Sequence, residues 1–254
     1  MKLKTMAASV AVAGTLALAS GSASALVTVD GVTWNPDSPL DFIAQSALFE
    51  TVATVAGQSI EGYGLISLFN GTGPDTYCPG CELTFRFYDY VLDASLTGVI
   101  GEAFNFTGGK LDVFVSGRNF DATNSATAID GSLFLSLVGV DVNADGFTLT
   151  GTTTSASTLG TQVAGQGSGF LNVTGGSAAA YFDTNGQVGG ADILYSSSFQ
   201  PLANPIISNG VTYTTGGTAE ITGATTAVPE PGVLALLGMG LVGFGAVRRM
   251  KKAA

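Results

Sequence analysis

The sequence predicts an all-β body, an antiparallel β-sandwich or jelly roll, followed by a C-terminal transmembrane sorting helix. Three observations support this fold class. Apolar and polar residues alternate with a period of two in many short segments, and glycine-rich turn sequences separate those segments. Roughly ten to twelve strands fit between residues 27 and 221 at the ~8–12-residue spacing of antiparallel sandwiches. We divide the chain into 1–25, a body at 26–227, and a tail at 228–254.

The first 25 residues have the three parts of a secretory signal peptide. Lys2 and Lys4 form a cationic start, residues 6–19 are mostly apolar, and 23–25 reads Ala-Ser-Ala, a cleavage site of the A-x-A type. We therefore expect export through the inner membrane, with Leu26 as the first mature residue. A retained N-terminal anchor is the alternative, against which the short apolar stretch and the good cleavage site both argue.

Individual strands are predicted where the alternation is regular. The clearest case is 83–87, Leu-Thr-Phe-Arg-Phe, and the segments 111–115, 133–137 and 147–150 repeat the pattern. Within 133–137, the three leucines are expected on one face of the strand and Phe134 on the other. Each segment therefore predicts a half-buried strand.

Turn sequences are predicted between these strands, at 107–110, 145–146, 174–176, 185–186 and 215–217, all of which contain glycine. The one helix candidate in the body is 40–47, whose start Asp41 could cap, although eight residues make a marginal helix. The segment 150–161 has few apolar residues and is expected to be a long loop or a frayed strand.

The tail has three parts in a fixed order. Pro229, Glu230 and Pro231 come first, an uncharged stretch of 16 residues follows at 232–247, and the last part is a cluster of four cations, Arg248, Arg249, Lys251 and Lys252. A helix over the uncharged stretch would reach about 24 Å, short of the ~30 Å hydrocarbon core, so it would span only with bilayer thinning or snorkelling. The cations would hold that end in the cytoplasm. A buried core helix is the alternative, but five glycines and a terminal basic cluster are unusual for one.

This order of Pro-Glu-Pro, apolar stretch and basic cluster resembles the PEP-CTERM sorting signal of Gram-negative bacteria. The resemblance implies recognition by exosortase, a membrane protease-transpeptidase, and transient insertion of the C-terminal helix in the inner membrane. It further implies delivery to the cell surface or to extracellular exopolymer, as exosortase substrates are delivered. The likeness covers only the tail.

A second likeness lies in the body. The segments 167–176, 181–185, 191–192 and 197–199 are similar to the C-terminal half of flocculation-associated PEP-CTERM proteins, whose implied role is to hold cells within exopolysaccharide flocs. This likeness implies a role in biofilm or floc formation and assigns no functional residue.

The net charge of the body limits the classes of partner that it can bind. Six of the nine bases lie in the two terminal segments, so the body keeps Arg86, Lys110 and Arg118 against 18 acids, a net charge of −15. Such a surface repels nucleic acid and anionic lipid head groups. It attracts divalent cations or cationic polymers.

Histidine is absent from the sequence, which excludes His-based catalytic triads and His-containing zinc sites. Cys78 and Cys81 are the two cysteines, in the sequence Cys-Pro-Gly-Cys. A redox role would place the first thiol at a helix N-terminus, whereas a strand is predicted to follow the motif. We expect a disulfide that closes a Pro-Gly turn in an exported protein.

The segment 141–146 matches the first half of a calcium-binding loop. Asp141, Asn143 and Asp145 supply oxygens at alternate positions, and a glycine follows. The bidentate glutamate of a full EF-hand loop is replaced by Thr152. Two interpretations remain open, a calcium site and an ordinary acidic hairpin turn. Calcium is the one cofactor that the sequence suggests.

The sequence favours a non-enzymatic, secreted matrix protein that promotes cell aggregation by contact with exopolysaccharide. A carbohydrate-binding module is the alternative, with Trp34, Tyr88 and Tyr90 as candidate aromatic platforms. A secreted glycoside hydrolase is the third hypothesis. Such an enzyme needs two carboxylates at a defined separation. Its candidate acids are Glu50, Glu61, Glu82 and Glu102, and no spacing singles out a pair.

Overall fold

The computed structural model describes residues 26–36, 42–155 and 164–226. Eleven strands lie in these ranges: β1 (Val27–Val29), β2 (Val32–Trp34), β3 (Phe42–Glu50), β4 (Ser59–Phe69), β5 (Cys81–Leu92), β6 (Ala103–Gly117), β7 (Ser132–Val140), β8 (Leu149–Thr153), β9 (Gly165–Gly175), β10 (Ile193–Ser208) and β11 (Val211–Gly223). Four single-turn helices connect some of them, at Pro74–Tyr77, Ser125–Ala128, Ala179–Phe182 and Val188–Gly190. The predicted all-β antiparallel body is confirmed.

Nine of the strands form one continuous sheet, in the order β10-β11-β3-β4-β5-β6-β7-β9-β8, and every pairing is antiparallel. Strand β10 also pairs with β9, so the sheet closes on itself. The short strand β8 pairs with the first residues of both β6 and β9. Further along these two strands, β7 lies between them instead. A closed sheet has an inner face that forms the core and an outer face that meets solvent.

The core is rich in aromatic side chains. The β1–β2 hairpin inserts Trp34 at the end of the sheet where β4 finishes, and its ring packs on Phe69, Phe134 and Phe182 at centroid distances of 6.0, 6.2 and 5.6 Å. Edge-to-face and tilted contacts of this kind add to the stabilisation from burial. The opposite end of β4 borders an internal cavity that is described below.

Part of the outer face is covered by the segment 118–131. The hydroxyl of Tyr63 donates to the carbonyl of Ala122 at 2.6 Å, and the hydroxyl of Thr84 donates to the carbonyl of Ala128 at 2.9 Å. Under this segment, the ring of Tyr63 packs edge-on against Tyr213 at 4.8 Å. The outer face therefore has an apolar part that the chain covers itself and a polar part that it leaves open.

The helix candidate at 40–47 is wrong for its described residues. Residues 42–50 form β3, which pairs with β11 on one side and β4 on the other. Two sheet partners provide more hydrogen bonds and burial than an isolated eight-residue helix could.

Two predicted turns, 107–110 and 215–217, are also wrong, because both lie inside long strands. Gly108 and Gly109 have φ of +73° and +90° and bend β6 without ending it. In β11, a side chain at Gly217 would meet the backbone carbonyl of Ser198 on β10, so this glycine permits close strand approach. Glycine in these strands marks bends and close contacts, as well as the turns that it marks elsewhere.

The alternation predicted for 133–137 breaks at its first residue. The pairing of β6 with β7 shifts register between Val113 and Phe114, which is a β-bulge. As a result, Phe134 is buried at 1% exposure and Leu133 is 41% exposed. The remaining leucines of β7 are buried as expected. For 150–161, residues up to Thr153 form β8, and 156–163 lie outside the described residues.

A polar groove as candidate functional site

A large, open groove lies on the uncovered outer face of the described residues. Its volume is ≈ 1060 Å³, and it crosses six strands, β6, β8, β9, β10, β11 and β3, while Ser67 of β4 also lines it. Small hydroxyl and amide side chains line it, with glycine and alanine between them. No aromatic ring is among the described residues that line this groove.

The antiparallel register aligns these side chains in two rows across the strands. The first row contains an asparagine, a threonine, two serines, a glutamate and a glutamine, which are cross-strand partners in sequence: Asn105, Thr150, Ser168, Ser196, Glu220 and Gln45. The second row lies two residues along each strand: Ala103, Thr152, Gln166, Ser198, Thr218 and Ala47. With ~4.8 Å between strands, each row extends about 24 Å along the curved sheet.

The groove is recessed because the sheet lies very close to the core beneath it. The inner positions of β8 and β9 include Gly151 and Gly167, and both face the ring of Phe104. A Cβ at Gly151 would meet that ring directly, while one at Gly167 would be 3.6 Å from it. Since backbone and not side chain contacts Phe104, the outer surface of these strands is set inward.

Hydrogen bonding is the chemistry that this groove offers. Glu220 is the one acid among its described lining residues, and its carboxylate accepts a bond from the Gln45 amide at 3.1 Å. The hydroxyls of Ser198 and Thr218 lie 3.1 Å apart on neighbouring strands. Hydroxyls and amides both donate and accept, so the two rows suit a ligand that is itself rich in hydroxyl groups.

Three of the candidate acids for a hydrolase are engaged elsewhere. Glu61 forms a salt bridge with Arg86 at 2.8 Å. Glu82 accepts the backbone N–H groups of residues 119 and 120 at 2.9 and 2.6 Å. Glu102 accepts those of residues 97 and 98, and the first of these bonds is the main cause that lowers the pKa of this carboxyl. Glu50, the fourth acid, lines the internal cavity.

The three candidate aromatic platforms do not meet on one surface. Trp34 and Tyr90 are buried, with 3% and 2% exposure. Tyr88 is half-buried, and its ring carries the Arg86 guanidinium at 5.0 Å and the Lys110 ammonium at 5.4 Å from its centroid. Its hydroxyl donates to Asp112 at 3.0 Å, and burial is the main cause that raises the pKa of this phenol. The chain's own cations therefore occupy the ring that a sugar would need.

Cys78 and Cys81 lie at disulfide-bonding distance, with their Cα atoms 5.1 Å apart. Cys78 follows the C-terminal end of the helix Pro74–Tyr77, and its N–H donates to the carbonyl of Pro74 at 2.9 Å. Cys78 is fully buried. Since a helix C-terminus does not stabilise a thiolate, this position lacks the feature that a redox cysteine needs.

The predicted calcium residues lie in the loop between β7 and β8. Both carboxylate oxygens of Asp141 accept backbone N–H groups of the same loop, from Asn143 and Asp145 at 3.2 Å and from Gly146 at 2.7 Å. The bond from Gly146 is the main cause that lowers the pKa of Asp141. Among the described residues, no group of three or more His, Cys, Asp or Glu side chains is placed to hold a metal ion. This geometry favours the hairpin-turn interpretation, and calcium binding stays a prediction.

A similar arrangement holds a further acidic turn, at 183–186. The buried carboxylate of Asp192 accepts N–H groups from Thr184 and Asn185 at 2.8 and 2.7 Å, and from Val173 at 2.8 Å. Three backbone amides thus hold one aspartate, which fastens this turn to β9. Its role in the described structure is architectural.

The identity of the tail is decided by comparison with known families. Residues 227–249 match the PEP-CTERM protein-sorting motif. The chain carries a PEP-CTERM sorting signal. This motif implies export, processing by an exosortase, and a final location at the cell surface or outside the cell. No curated protein and no solved structure matches the chain.

The matched segment lies outside the described residues, as does the predicted signal peptide. So do the sorting residues Pro229, Glu230, Pro231, Arg248 and Arg249. Within 26–36, 42–155 and 164–226, no helix is long and apolar enough to cross a bilayer.

Sequence reasoning missed the groove, although one signal of it was present. In 165–169 glycine alternates with Gln166 and Ser168, so one face of the strand is bare and the other is polar. That pattern is a period-two strand in which glycine replaces the apolar residue. The two polar rows also depend on how the six strands pair with one another, and the sequence of a single strand does not specify this register.

Proposed function

We propose that the protein is a non-enzymatic component of the exopolymer matrix of a Gram-negative bacterium, where it promotes cell aggregation by binding exopolysaccharide. The observation that carries the proposal is the polar groove, on a protein whose sorting motif directs it to the surface or beyond. The groove gives the body a way to hold a polymer, and a location at the surface or outside the cell supports contact with exopolymer.

The dimensions of the groove support a polymer as ligand. Two parallel rows about 24 Å long, separated by about 7 Å along the strands, can contact several sugar units at once. Each hydrogen bond contributes little by itself, about 0.5–1.5 kcal/mol. A repetitive ligand makes many such bonds, so weak contacts add up when the chain is long.

The charge of the body supports a second, electrostatic contribution. All three of its bases are paired with acids, Arg86 with Glu61, Lys110 with Asp89, and Arg118 with Asp75. The exposed acids in excess of these three pairs are therefore available to divalent cations. Such cations could bridge the protein to acidic polymer or to another copy of itself.

Binding is better supported than hydrolysis. Glu220 is the one acid among the described groove residues, whereas glycoside hydrolysis ordinarily uses two carboxyl groups. A carbohydrate-binding module is the alternative that shares this chemistry, and it differs by requiring one defined glycan. A secreted hydrolase is the third candidate.

The experiment compares two substitutions on the same strand. Thr218→Arg places a long cation inside the groove, and Thr212→Arg places the same side chain on an exposed threonine of β11 outside it. Cosedimentation of the secreted protein with the strain's own purified exopolysaccharide measures binding. We expect Thr218→Arg to reduce the bound fraction at least fivefold and Thr212→Arg to leave it unchanged. Equal binding by both variants would remove the groove from the proposal.

The biological arm uses a gene deletion. Growth as dispersed cells should stay normal, and flocs or biofilm should weaken while polymer is still made and secreted. Complementation with Thr212→Arg should restore aggregation, and complementation with Thr218→Arg should not. If aggregation is unchanged in the deletion strain and the strain no longer uses some polysaccharide as a carbon source, the matrix hypothesis is rejected and the hydrolase hypothesis is favoured.

A further inference from the structure

The inner face of the closed sheet encloses a cavity of ≈ 40 Å³ at the end where β4 begins and β5 finishes. Six aromatic rings line it: Phe87, Tyr90, Phe104, Phe106, Tyr195 and Phe199. These rings fix one another, since Phe87 contacts both tyrosines and Phe104 contacts both of the other phenylalanines at centroid distances of 5.8 to 6.4 Å. The cavity is therefore a preformed aromatic cage.

One carboxyl group lies in this cage. Glu50, the last residue of β3, is 5% exposed and is the one acid among the described lining residues, which include no base. Its backbone carbonyl accepts the Thr215 hydroxyl at 2.9 Å, but no hydrogen bond to its side chain is found among the described residues. The hydroxyl of Tyr90, also in the lining, has no such bond among them either.

This isolation distinguishes Glu50 from the other buried acids. Glu82 accepts two backbone amides and Asp192 accepts three, so their charges are compensated within the fold. A buried carboxyl without compensation destabilises the empty protein, and groups of this kind occur preferentially at binding sites. An occupant that supplies the missing partner would be a cation, because aromatic ring faces and a carboxylate both attract positive charge.

We propose that this cavity binds a small organic cation, a primary or methylated alkylammonium, with the Glu50 carboxylate as its counter-ion and the aromatic rings as its walls. A water molecule needs about 10–15 Å³ of such volume, so the cavity has room for roughly three or four non-hydrogen atoms. Propylammonium and trimethylammonium are of this size.

Entry is provided at the end that two loops cover. Leu96 lines the cavity from the loop 93–102, and its N–H donates to the carbonyl of Thr54 in the opposite loop at 2.9 Å. The same loops carry three exposed apolar residues, Val55, Val99 and Ile100, with 53, 56 and 68% exposure. The same two loops are joined by the bond from the Ala56 N–H to the Ser95 hydroxyl at 2.9 Å, so opening the cavity requires displacement of Leu96 and of both bonds.

Proton release provides the specific signature of this site. Burial raises the pKa of Glu50 from 4.5 to about 8, so the empty cavity holds a neutral carboxyl at pH 7. An alkylammonium binds with its own charge intact, and the carboxyl gives its proton to buffer as the ion pair forms. Binding should therefore release close to one proton for each ligand.

The test is calorimetric titration of the secreted protein with propylammonium chloride at pH 7, in two non-amine buffers of different ionisation enthalpy. We expect one site, about one proton released, and no binding of propan-1-ol. Sodium chloride at equal ionic strength serves as control for attraction of cations to the acidic surface. Glu50→Gln should weaken binding at least tenfold, and Glu220→Gln, a matched change in the groove, should leave it unchanged.

Cavity size provides an independent arm. Leu96→Ala should shift the preferred ligand to a chain longer by one or two methylene groups, because it enlarges the cavity at its entrance. If propylammonium fails to bind, if propan-1-ol binds equally well, or if Glu50→Gln retains full affinity, the proposal is wrong.

Discussion

The buried Glu50 carboxyl makes the stability of this protein depend on pH in a window where little else titrates. Its pKa is raised to about 8 in the fold by burial, against an ordinary value of 4.5. Between those values the folded protein keeps the proton and the unfolded chain loses it. The unfolded state binds fewer protons, so the free energy of unfolding falls as pH rises through the window and is constant below it.

The magnitude follows from the size of the window. Each pH unit lowers the free energy of unfolding by about 1.4 kcal/mol while the two states differ by one proton. From about pH 5 to pH 7.5 the loss is therefore about 3 kcal/mol, a large part of the ~5–15 kcal/mol of a typical domain. The other titratable groups in the cavity lining, Tyr90 and Tyr195, do not ionise there, because burial raises the pKa of both phenols.

Glu50→Gln removes the titrating group and keeps the shape of the side chain. Since the sequence contains no histidine, no side chain with an ordinary pKa near 6.5 competes with this signal. We expect urea unfolding of the secreted variant in non-amine buffers to give a nearly flat pH profile between about pH 5 and pH 7.5. The unmodified protein and Glu220→Gln should both show the slope.

The variant should also be more stable than the unmodified protein at pH 7.5, because an amide has no ionised state to favour unfolding. Parallel profiles for Glu50→Gln and the unmodified protein would refute the reasoning. That outcome would mean that the carboxyl is solvated or compensated in the folded state, and the cavity would lose its charged partner.

Three further predictions concern the sequence motifs. Thiol labelling of the unfolded, secreted protein should find Cys78 and Cys81 unreactive until reduced, and replacing both with alanine should cost about 1–2 kcal/mol, since the closed loop is small. If calcium binds, it should stabilise the protein by about 2.7 kcal/mol at a hundredfold excess over Kd, so millimolar calcium should raise the melting temperature. Asp145→Ala should abolish this rise. If calcium does not shift the melting temperature of the unmodified protein, the loop is an ordinary hairpin turn. The intact mass of the extracellular protein should show that residues 1–25 and the apolar tail have been removed. Replacement of residues 229–231 with alanine should keep the protein in the inner membrane. An intact tail on secreted soluble protein would contradict exosortase processing.

Local patterns predicted the strands well because a half-buried strand leaves a period-two signature. The segment 83–87 lies in β5, and Leu83, Phe85 and Phe87 are all buried as the alternation requires. Pattern reasoning failed where pairing decides the outcome. The bulge opposite Val113 buries Phe134 and exposes Leu133, and it depends on β6, which is distant in sequence.

Glu50 illustrates a signal that was available and unused. Leu48 and Glu50 are two residues apart on β3, and both are buried, so the strand's own alternation directs the acid inward. In the sequence, Glu50 is one of four candidate acids for a hydrolase and nothing marks it as buried, because glutamate is seldom buried without a partner. Only the closure of the sheet, through the pairing of β9 with β10, forms the cage around it.

The groove and the cavity are two sides of one thin wall, since Gly167 and Ser197 line both. The thinness depends on the glycines above Phe104, and two of them make a matched test. A Cβ at Gly151 would meet the Phe104 ring and the carbonyl of Gln166, so Gly151→Ala must displace the wall and should cost about 1–3 kcal/mol, as overpacking does. At Gly167 the nearest atoms are 3.4 and 3.6 Å away, an ordinary contact, so Gly167→Ala should be neutral or stabilising by up to about 1 kcal/mol. Urea unfolding measures both, and equal destabilisation by the two substitutions would show that the wall is not packed on Phe104 as described.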